Sequence, residues 1–514
     1  MVYTRLIILL LSLCCLYPLQ AQQPDYSTFF EEAYRANPSI PRGMLESIAW
    51  NNTRMNHLVP GPKQTHDCLG MPQYYGVMGL VEDGKGYFNN TLNEVANLSG
   101  YSVDDIKRSP RVNILAYAKA YASRQTNKRS LGDDFQMERY TMSAMSEIPD
   151  DGDAHNQYAK DQQYYAVLRR MEKEGQKQGL RRAGVNYRSI FGENYDIVSA
   201  SRLQMDRENV SNRSTGQSYK SFRTAAAPSC SKAERFGSSL WTGAHSRNYG
   251  SRGTQDIEFV TIHTIQGSYA SCISWFKNPA ARVSAHYVVR SLDGQVTQMV
   301  CEGEKAFHVR THNGRSIGIE HEGFIDEGFS WYTSAMYESS AALVRDICKR
   351  RGINPLQMFQ GPATKGVKVL GDNCTKIKGH QHYEGNDHID PGSYWDWDRY
   401  FRLVNPKVVV QKFTEKKSEV YDSGGPNGPY ANQEYRGILI QPEKASQITL
   451  EFDAFELEKP GKADWDYLDI WDGPDRNGTY LGRFTGNKSP GTIVGQTGAL
   501  YMEFRSDCAT NKPG

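Results

Sequence analysis

The 514-residue sequence lacks an excess of charge of either sign. Its 60 Lys and Arg residues nearly balance 58 Asp and Glu residues, which leaves a formal net charge of +2. Charge therefore gives no indication of nucleic-acid binding, and we expect none. The sequence also contains no CxxC pair and no tandem repeat. The first absence argues against a structural zinc knuckle, in which such cysteine pairs hold the metal.

Long apolar runs are missing except at the N-terminus. There, Arg5 precedes the run LIILLLSLCCLYPL, and the triplet LQA follows at its end. This pattern is typical of a signal peptide, here 1–21, and predicts a protein that is secreted or held in the cell envelope. The run is too short for a transmembrane span, and we expect no transmembrane segment elsewhere. Cys14 and Cys15 leave a lipoprotein as the alternative, although the bulky Leu13 disfavours it.

Cysteine is scarce in the rest of the chain. Seven cysteines follow the predicted signal peptide: Cys68, Cys230, Cys272, Cys301, Cys348, Cys374 and Cys508. An exported chain permits disulfides, and an odd number leaves at least one thiol outside any intrachain pair. The spacings do not determine which cysteines pair.

A chain of this length is expected to form two to four domains. Residues 22–175 carry apolar side chains at helical spacing, which predicts a helical domain. Residues 176–234 are rich in Ser, Arg and Asn and predict a linker. Residues 235–405 alternate strands with helices, which is an α/β pattern with a central mixed sheet. Residues 417–514 carry short strands between Gly, Pro and Asn turns, which predicts an all-β sandwich.

Potential metal ligands lie near strand ends in the α/β region. His263 ends the apolar strand FVTIH, and Glu320 lies within the strand SIGIEHEG. The segment GHQHYEGNDHIDPG contains His380 and, ten residues later, Asp390. A zinc hydrolase needs three protein ligands and one open position, and imidazole and carboxylate groups suit the metal. Each residue alone has an ordinary polar role as the alternative, but together they indicate a zinc site.

Three segments of this region resemble the type-2 N-acetylmuramoyl-L-alanine amidases, a family that includes peptidoglycan recognition proteins and phage lysozyme amidases. The segments are IHTIQGSYASCISWFKNPAARVSAHYVV, SIGIEHEG and GHQHYEGNDHIDPGSYWDW. The resemblance implies that His263, His380 and Asp390 bind a catalytic Zn²⁺. It further implies that the substrate is peptidoglycan and that the bond hydrolysed is the amide between N-acetylmuramic acid and L-alanine.

The resemblance also implies roles for residues beside the metal. Glu320 matches the family's carboxylate, which takes a proton from water and passes it to the leaving amine. His388 matches the group that stabilises the oxyanion. Thr264 departs from the His or Tyr that often follows the first ligand, at a position that is not itself a ligand.

Four further histidines belong to the same region. His286 and His308 resemble cleft positions that face the substrate, and a simple packing role is an equal alternative. His321 and His382 have no implied role, and we expect both to be solvated.

The helical region resembles the lytic transglycosylases, which have a lysozyme-like fold. The matching segments include IAWNNTRMNHL, YYGVMGL and RVNILAYAKAYA. The family's general acid is a Glu, and the alignment places Asn52 there, which has no proton to give. The resemblance therefore implies a glycan-binding or spacer domain without cleavage. The alternative is that Glu46, six residues upstream, acts from a shifted register.

The C-terminal segments YDSGGPNGPYANQEYRGILIQP and ITLEFDAFELEKPGKADWDYLDIWDG resemble a CUB domain. Some CUB domains bind Ca²⁺, and the matching positions here are Glu458, Asp466 and Asp507; an ordinary role as loop acids is the alternative. The family's usual disulfides are absent, and Cys508 has no evident partner. The chain stops at ATNKPG, where the family would continue, so we expect the domain to be truncated or incomplete.

These observations predict a secreted, modular zinc amidase that acts on peptidoglycan. Two alternatives remain at this stage. One is a protein that binds peptidoglycan without cutting it, and the other is an extracellular adhesion protein.

Overall fold

A computed structural model of the protein describes most of the chain from residue 25 onward. The described residues are 25–60, 69–83, 85–126, 134–177, 185–200, 203–205, 209–212, 214–220, 230, 236–237 and 239–514. The predicted signal peptide lies outside them. Among the described helices, none combines the length and the apolar character that a membrane span requires.

The N-terminal part is helical, as the apolar spacing predicts, and its helices surround one apolar core. The helices are α1 (Ser27–Ala36), α2 (Met44–Thr53), α3 (Thr91–Ser99), α4 (Val103–Arg108), α5 (Pro110–Thr126), α6 (Asp134–Ala144) and α7 (Ala154–Lys177). Two antiparallel strands, β1 (Gln73–Tyr75) and β2 (Leu80–Glu82), lie between α2 and α3 in the chain. The side chains of Asn90 and Ser102 cap α3 and α4 by accepting hydrogen bonds from first-turn amides. Helix α7 packs against α2.

Part of the segment predicted as a linker, 176–234, is folded instead. Its described residues form α8 (Tyr187–Phe191), α9 (Tyr195–Val198), β3 (Gln204–Met205), β4 (Asn209–Ser211) and β5 (Ser218–Lys220). Phe191, Val198 and Val210 are buried in the same core as the preceding helices. These apolar residues are too widely spaced to form a periodic pattern. Packing against distant parts of the chain, which local sequence does not show, orders them.

The α/β part is built on a six-stranded mixed sheet, in agreement with its predicted class. Its elements are β6 (Leu240–Trp241), β7 (Tyr249–Ser251), β8 (Phe259–Thr264), α10 (Tyr269–Lys277), β9 (Tyr287–Val289), β10 (Val296–Gln298), β11 (Glu304–Ala306), β12 (Ser316–His321), α11 (Gly328–Trp331), α12 (Ser334–Arg351), β13 (Ile377–Gly379) and α13 (Trp397–Val404). The strand order is β13-β8-β12-β9-β10-β6, and the first four strands are parallel. Every residue of β8 and β12 is buried, as is usual where both faces of a parallel sheet are covered.

The C-terminal part contains two antiparallel-rich sheets around a third core. Its strands are β14 (Val409–Phe413), β15 (Tyr435–Ile440), β16 (Ile448–Glu451), β17 (Tyr467–Asp472), β18 (Thr479–Phe484), β19 (Thr492–Gly495) and β20 (Leu500–Arg505). Five of them form one sheet in the order β14-β15-β20-β17-β18, and β16 pairs with β19 in the other. The predicted all-β architecture agrees with this arrangement.

The α/β part contacts both of its neighbours. On the helical side, Trp275 Nε1 donates to the Leu69 carbonyl oxygen at 2.7 Å, and Asn56 Nδ2 donates to Ser330 Oγ at 3.1 Å. On the other side, a disulfide joins Cys374 to Cys508.

The disulfides resolve a question that the cysteine spacings leave open. Cys508 was expected to have no evident partner, but it pairs with Cys374 across 134 positions of sequence. A second disulfide joins Cys230 to Cys301. Both pairs are brought together only by the folded chain.

Candidate metal centre and the surrounding site

The carboxyl ends of the parallel strands place the predicted ligands at one edge of the sheet. His263 in β8 and Glu320 in β12 are direct partners in the ladder between the two strands. His380 follows β13, which flanks β8 on its other side. Asp390 belongs to the following loop, which is tied to this edge because the Gln381 amide donates to the Asp390 carbonyl oxygen at 3.0 Å.

The structure brings His263, His380 and Asp390 into one compact cluster. Each residue offers a ligand atom, and these atoms lie within 4.8 Å of one another. His263 Nδ1 is 2.9 Å from Asp390 Oδ2, and His380 Nδ1 is 3.3 Å from Asp390 Oδ1. All three side chains are buried, with at most 2% of each residue exposed. The Nδ1 atoms of both histidines therefore face the same carboxylate.

The electrostatics of the cluster suit a cation. Burial opposes ionisation of Asp390, but His380 and His263 outweigh it and hold the pKa of the carboxyl well below its usual range. Burial lowers the pKa of His380, which favours the neutral imidazole that metals require. Within the described part of the chain, neither ring nitrogen of His380 has a hydrogen bond of good geometry. Buried polar atoms are normally satisfied, and a metal bound at Nδ1 would account for one of these two nitrogens.

Glu320 and His388 lie beside the cluster, where the resemblance implies them. Glu320 is fully buried, and its Oε1 atom is 4.0 Å from His263 Nδ1. The ring of His388 lies 4.4 Å from that of His380, measured between centroids. His388 is 8% exposed, so it is closer to solvent than His263, His380 and Asp390 are.

His308 contacts the metal cluster from the side away from Asp390. Its Nδ1 atom is 3.0 Å from His263 Nε2, and its Nε2 atom is 3.1 Å from Ser316 Oγ. Burial and the neighbouring His263 lower the pKa of His308 well below its usual value. A Cβ atom on Gly318 would come within 2.6 Å of the His308 ring, which explains the glycine in the SIGIE strand. His308 thus contacts His263, one of the three clustered residues, directly.

His286 is fully buried and fully engaged by the protein. Its Nδ1 atom accepts from the Gly318 amide at 3.0 Å, and its Nε2 atom lies 3.1 Å from the Glu304 carbonyl oxygen. Burial, with Arg252 as the next cause, lowers its pKa well below the usual value. These contacts favour the packing alternative for His286 over a substrate-facing role.

The expectation that His321 and His382 are solvated is wrong. Both are fully buried. His321 Nε2 bonds to Ser340 Oγ at 2.7 Å, and His382 Nδ1 accepts from the Gly379 amide at 3.0 Å. Burial lowers the pKa of each to about 3. Histidine is a polar residue type, so the sequence alone suggests exposure. The tertiary contacts show instead that both side chains belong to the interior.

Glu458, Asp466 and Asp507 form a second cluster, in the C-terminal part. One carboxylate oxygen from each lies within 4.8 Å of the others. Burial, then Asp507 and Asp466, raise the pKa of Glu458 to about 7. Burial also raises the pKa of Asp466, whose Oδ2 atom accepts from Tyr430 Oη at 2.5 Å. Three carboxylates at this spacing repel one another, and a hard divalent cation would relieve the repulsion.

The two residues considered for glycan cleavage lie on different sides of α2. Asn52 lines a cavity beside the α/β part, and its Nδ2 atom donates to the Met78 carbonyl oxygen at 3.0 Å. Glu46 is not among the residues that line this cavity, and its Oε2 atom accepts from Tyr34 Oη at 2.5 Å. The structure therefore brings Asn52, and not Glu46, to the cavity.

Comparison with known proteins defines the class of two parts of the chain. The N-acetylmuramoyl-L-alanine amidase family matches residues 253–393, and the CUB domain family matches residues 410–514. N-acetylmuramoyl-L-alanine amidase A of Achromobacter lyticus is 43% identical over 171 residues, which are 33% of this chain and 95% of that protein.

Two further similarities concern the C-terminal part. Neuropilin-1a of Danio rerio is 36% identical over 122 residues, which are 23% of this chain and only 13% of that protein. A crystal structure of the MASP-1 CUB2 domain bound to Ca²⁺ shares 29% identity and covers 20% of this chain and 90% of that one, with a TM-score of 0.18.

The chain belongs to the N-acetylmuramoyl-L-alanine amidase family, and the predicted enzyme class is confirmed. Its C-terminal part is a CUB domain, also as predicted.

Proposed function

We propose that this amidase is a zinc-dependent hydrolase of peptidoglycan that cuts the amide between N-acetylmuramic acid and L-alanine. The observation that carries the proposal is the convergence of His263, His380 and Asp390 at the strand ends, with Glu320 beside them. Two imidazoles and one carboxylate are a donor set of the kind that catalytic zinc sites use, with a fourth position left for the reaction.

The three residues would hold the metal through defined atoms. His263 and His380 would use Nδ1, because these are the ring atoms that face the Asp390 carboxylate. Zinc bound there supplies Lewis acidity, which polarises a carbonyl oxygen and makes water easier to deprotonate.

Glu320 moves the proton in this proposal. Its buried carboxylate lies next to the ligand atoms without belonging to the ligand set. It accepts a proton from the attacking water at a carboxylate oxygen and then delivers that proton to the nitrogen of the leaving L-alanine.

His388 stabilises the negative charge that develops on the carbonyl oxygen of the scissile amide. Its ring lies against His380, at the more exposed side of the cluster. A donor that is already held in place costs little reorganisation when the charge develops, and this is the usual basis of oxyanion stabilisation.

His308 positions His263. With Nδ1 of His263 used for the metal, its Nε2–H donates to His308 Nδ1, and the Nε2–H of His308 donates to Ser316 Oγ. Such outer contacts determine the tautomer and orientation of a ligating histidine.

For the CUB domain we propose a calcium site at Glu458, Asp466 and Asp507. The raised pKa values of Glu458 and Asp466 support it, because burial first and neighbouring acids second disfavour their charged forms, which a cation would stabilise.

Export to the cell envelope or beyond completes the proposal. The N-terminal run of apolar residues supports it. The disulfides Cys230–Cys301 and Cys374–Cys508 support it as well, because such bonds persist mainly in oxidising compartments.

The proposal is tested by incubating the purified protein with peptidoglycan, with and without a chelator, and analysing the products by mass spectrometry. We expect free stem peptides that begin with L-alanine, absent when zinc is chelated and restored by added zinc. If the protein binds peptidoglycan but releases no stem peptides, it is instead a non-hydrolytic binding protein.

A further inference from the structure

A cavity of about 610 Å³ lies between the helical part and the amidase part. Helices α2 and α7 form one wall, which includes Trp50 and Asn52. The start of α10, the turn that begins at Arg290 and the residue after β12, Glu322, form the other. Cavities of this size typically hold a small molecule or a short polymer segment.

The cavity and the metal cluster lie at the same edge of the central sheet. His263 and Glu320 are at the carboxyl ends of β8 and β12. Glu322 follows β12 and Arg290 follows β9, and both line the cavity. Strand β9 is two positions from β8, and neighbouring strands are about 4.8 Å apart, so the two regions are offset by about 10 Å along this edge. An offset of this size is within the length of a short polymer.

Aromatic rings and amides contribute much of the uncharged lining of the wall. The aromatic residues are Trp50, Tyr74, Tyr158, Tyr165 and Tyr269. The amide residues are Asn51, Asn52, Asn156, Gln162 and Gln163. Basic and acidic side chains also line the cavity in nearly equal number, so the wall has little net charge.

The amides and the tryptophan are held in place by the protein. Asn52 Nδ2 donates to the Met78 carbonyl oxygen at 3.0 Å, and Gln162 Nε2 donates to that of Val198 at 2.8 Å. The guanidinium of Arg170 lies 3.8 Å from the ring centroid of Trp50. Such preorganised groups lose little freedom when a ligand binds, which favours affinity.

We propose that this cavity binds the glycan strand of peptidoglycan, a polymer of N-acetylated hexosamines, while the metal cluster acts on the peptide branch of the same strand. Sugar rings offer C–H faces to aromatic side chains and offer hydroxyl and acetamido groups to amides. The stem peptide is anionic and would favour a strongly cationic wall, which this cavity lacks. The proposal rests on the proposed function, since it names the part of the substrate that this second site holds.

Neither of the two positions considered for a general acid supports glycan cleavage in the cavity. Asn52 lines the cavity but cannot deliver a proton to a leaving oxygen, whereas Glu46 is bonded to Tyr34 and is not part of the wall. The amidase reaction itself leaves the length of the glycan strand unchanged.

The test uses the full-length protein and the hexamer of N-acetylglucosamine, which has no peptide and so no amidase bond. Affinity is measured by calorimetry for the wild type, Trp50→Ala and Asn51→Ala. Tyr101→Ala is the matched control, because Tyr101 is a 37% exposed aromatic residue of the same helical part that does not line the cavity. We expect the hexamer to bind the wild type and the control equally, and Trp50→Ala to bind about threefold to tenfold more weakly.

A kinetic comparison separates the cavity from the metal site. For Trp50→Ala, KM on whole peptidoglycan should rise by a larger factor than KM on a short soluble muropeptide. Unaltered hexamer affinity in both Trp50→Ala and Asn51→Ala, or no binding by the wild type, overturns the proposal. Displacement of the hexamer by free stem peptide also overturns it and makes the cavity a peptide site. If Trp50-dependent binding is found but peptidoglycan is not cut, the glycan site stands and the proposed hydrolysis fails.

Discussion

The two candidate metal clusters of the described chain have three residues each but opposite electrostatics. In the amidase part, two histidines hold the pKa of the buried Asp390 low. In the CUB domain, burial and two neighbouring acids raise the pKa of Glu458 to about 7. In the mixed cluster, the Asp390 carboxylate is thus stabilised by its histidine neighbours even without a metal. At the all-carboxylate cluster the proposed cation would relieve repulsion between the acids, so we expect metal to affect catalysis at the first cluster and stability at the second.

The largest expected effect follows from removing a zinc ligand. His263→Ala, His380→Ala and Asp390→Ala should each lose both zinc and detectable amidase activity, because three protein ligands are needed to hold the metal. Metal content by atomic spectroscopy and peptide release provide the two readouts. His312→Ala is the control, since His312 precedes β12 and lies outside the cluster. One equivalent of zinc retained in any ligand variant would show that the cluster is misassigned.

Glu320→Gln should separate metal binding from chemistry. We expect zinc content and thermal stability near those of the wild type, with turnover reduced by about a hundredfold or more, because the variant lacks the group that moves the proton. Glu384→Gln is the matched control, an exposed acid in the loop that follows His380. Near-normal turnover of Glu320→Gln would assign the proton transfer to another group.

His308→Ala should weaken zinc binding by about 10-fold to 100-fold, because His263 loses the partner that orients its ring. His308→Asn provides a conservative comparison, since its amide oxygen can accept the same proton from His263 Nε2. Competition with a chromophoric chelator measures the affinity without reference to activity. A purely structural role predicts equal affinities for the wild type and the Ala variant, with lower thermal stability in the latter.

The smallest effect is expected at the CUB domain. Calcium at 100 times its Kd should stabilise the folded protein by about 2.7 kcal/mol, observed as a higher midpoint of the thermal transition assigned to this domain. Glu458→Gln should lose most of this increase, whereas Asp453→Asn, an exposed acid outside the cluster, should retain it. Amidase activity should change little in either variant. Equal responses to calcium in both variants would remove Glu458 from the site.

Sequence alone determined the parts of this protein whose signals are local. Strand patterns place His263 at a strand end and Glu320 within a strand, the spacing within one loop links His380 to Asp390, and the family resemblance implies their roles. The helical, α/β and all-β order of the chain also follows from local periodicity and turn residues.

Tertiary structure decided what depends on distant contacts. The disulfide between Cys374 and Cys508, the folding of part of 176–234, and the burial of His321 and His382 all arise from residues that are far apart in the chain. The cavity between the helical and amidase parts is also decided by tertiary structure, since no sequence motif in either wall predicts that the two walls meet. The physical reason is that side-chain burial and cysteine pairing depend on how distant segments pack together. Hydrophobic periodicity and the spacing of candidate ligands, in contrast, can be recognised within short segments of the sequence.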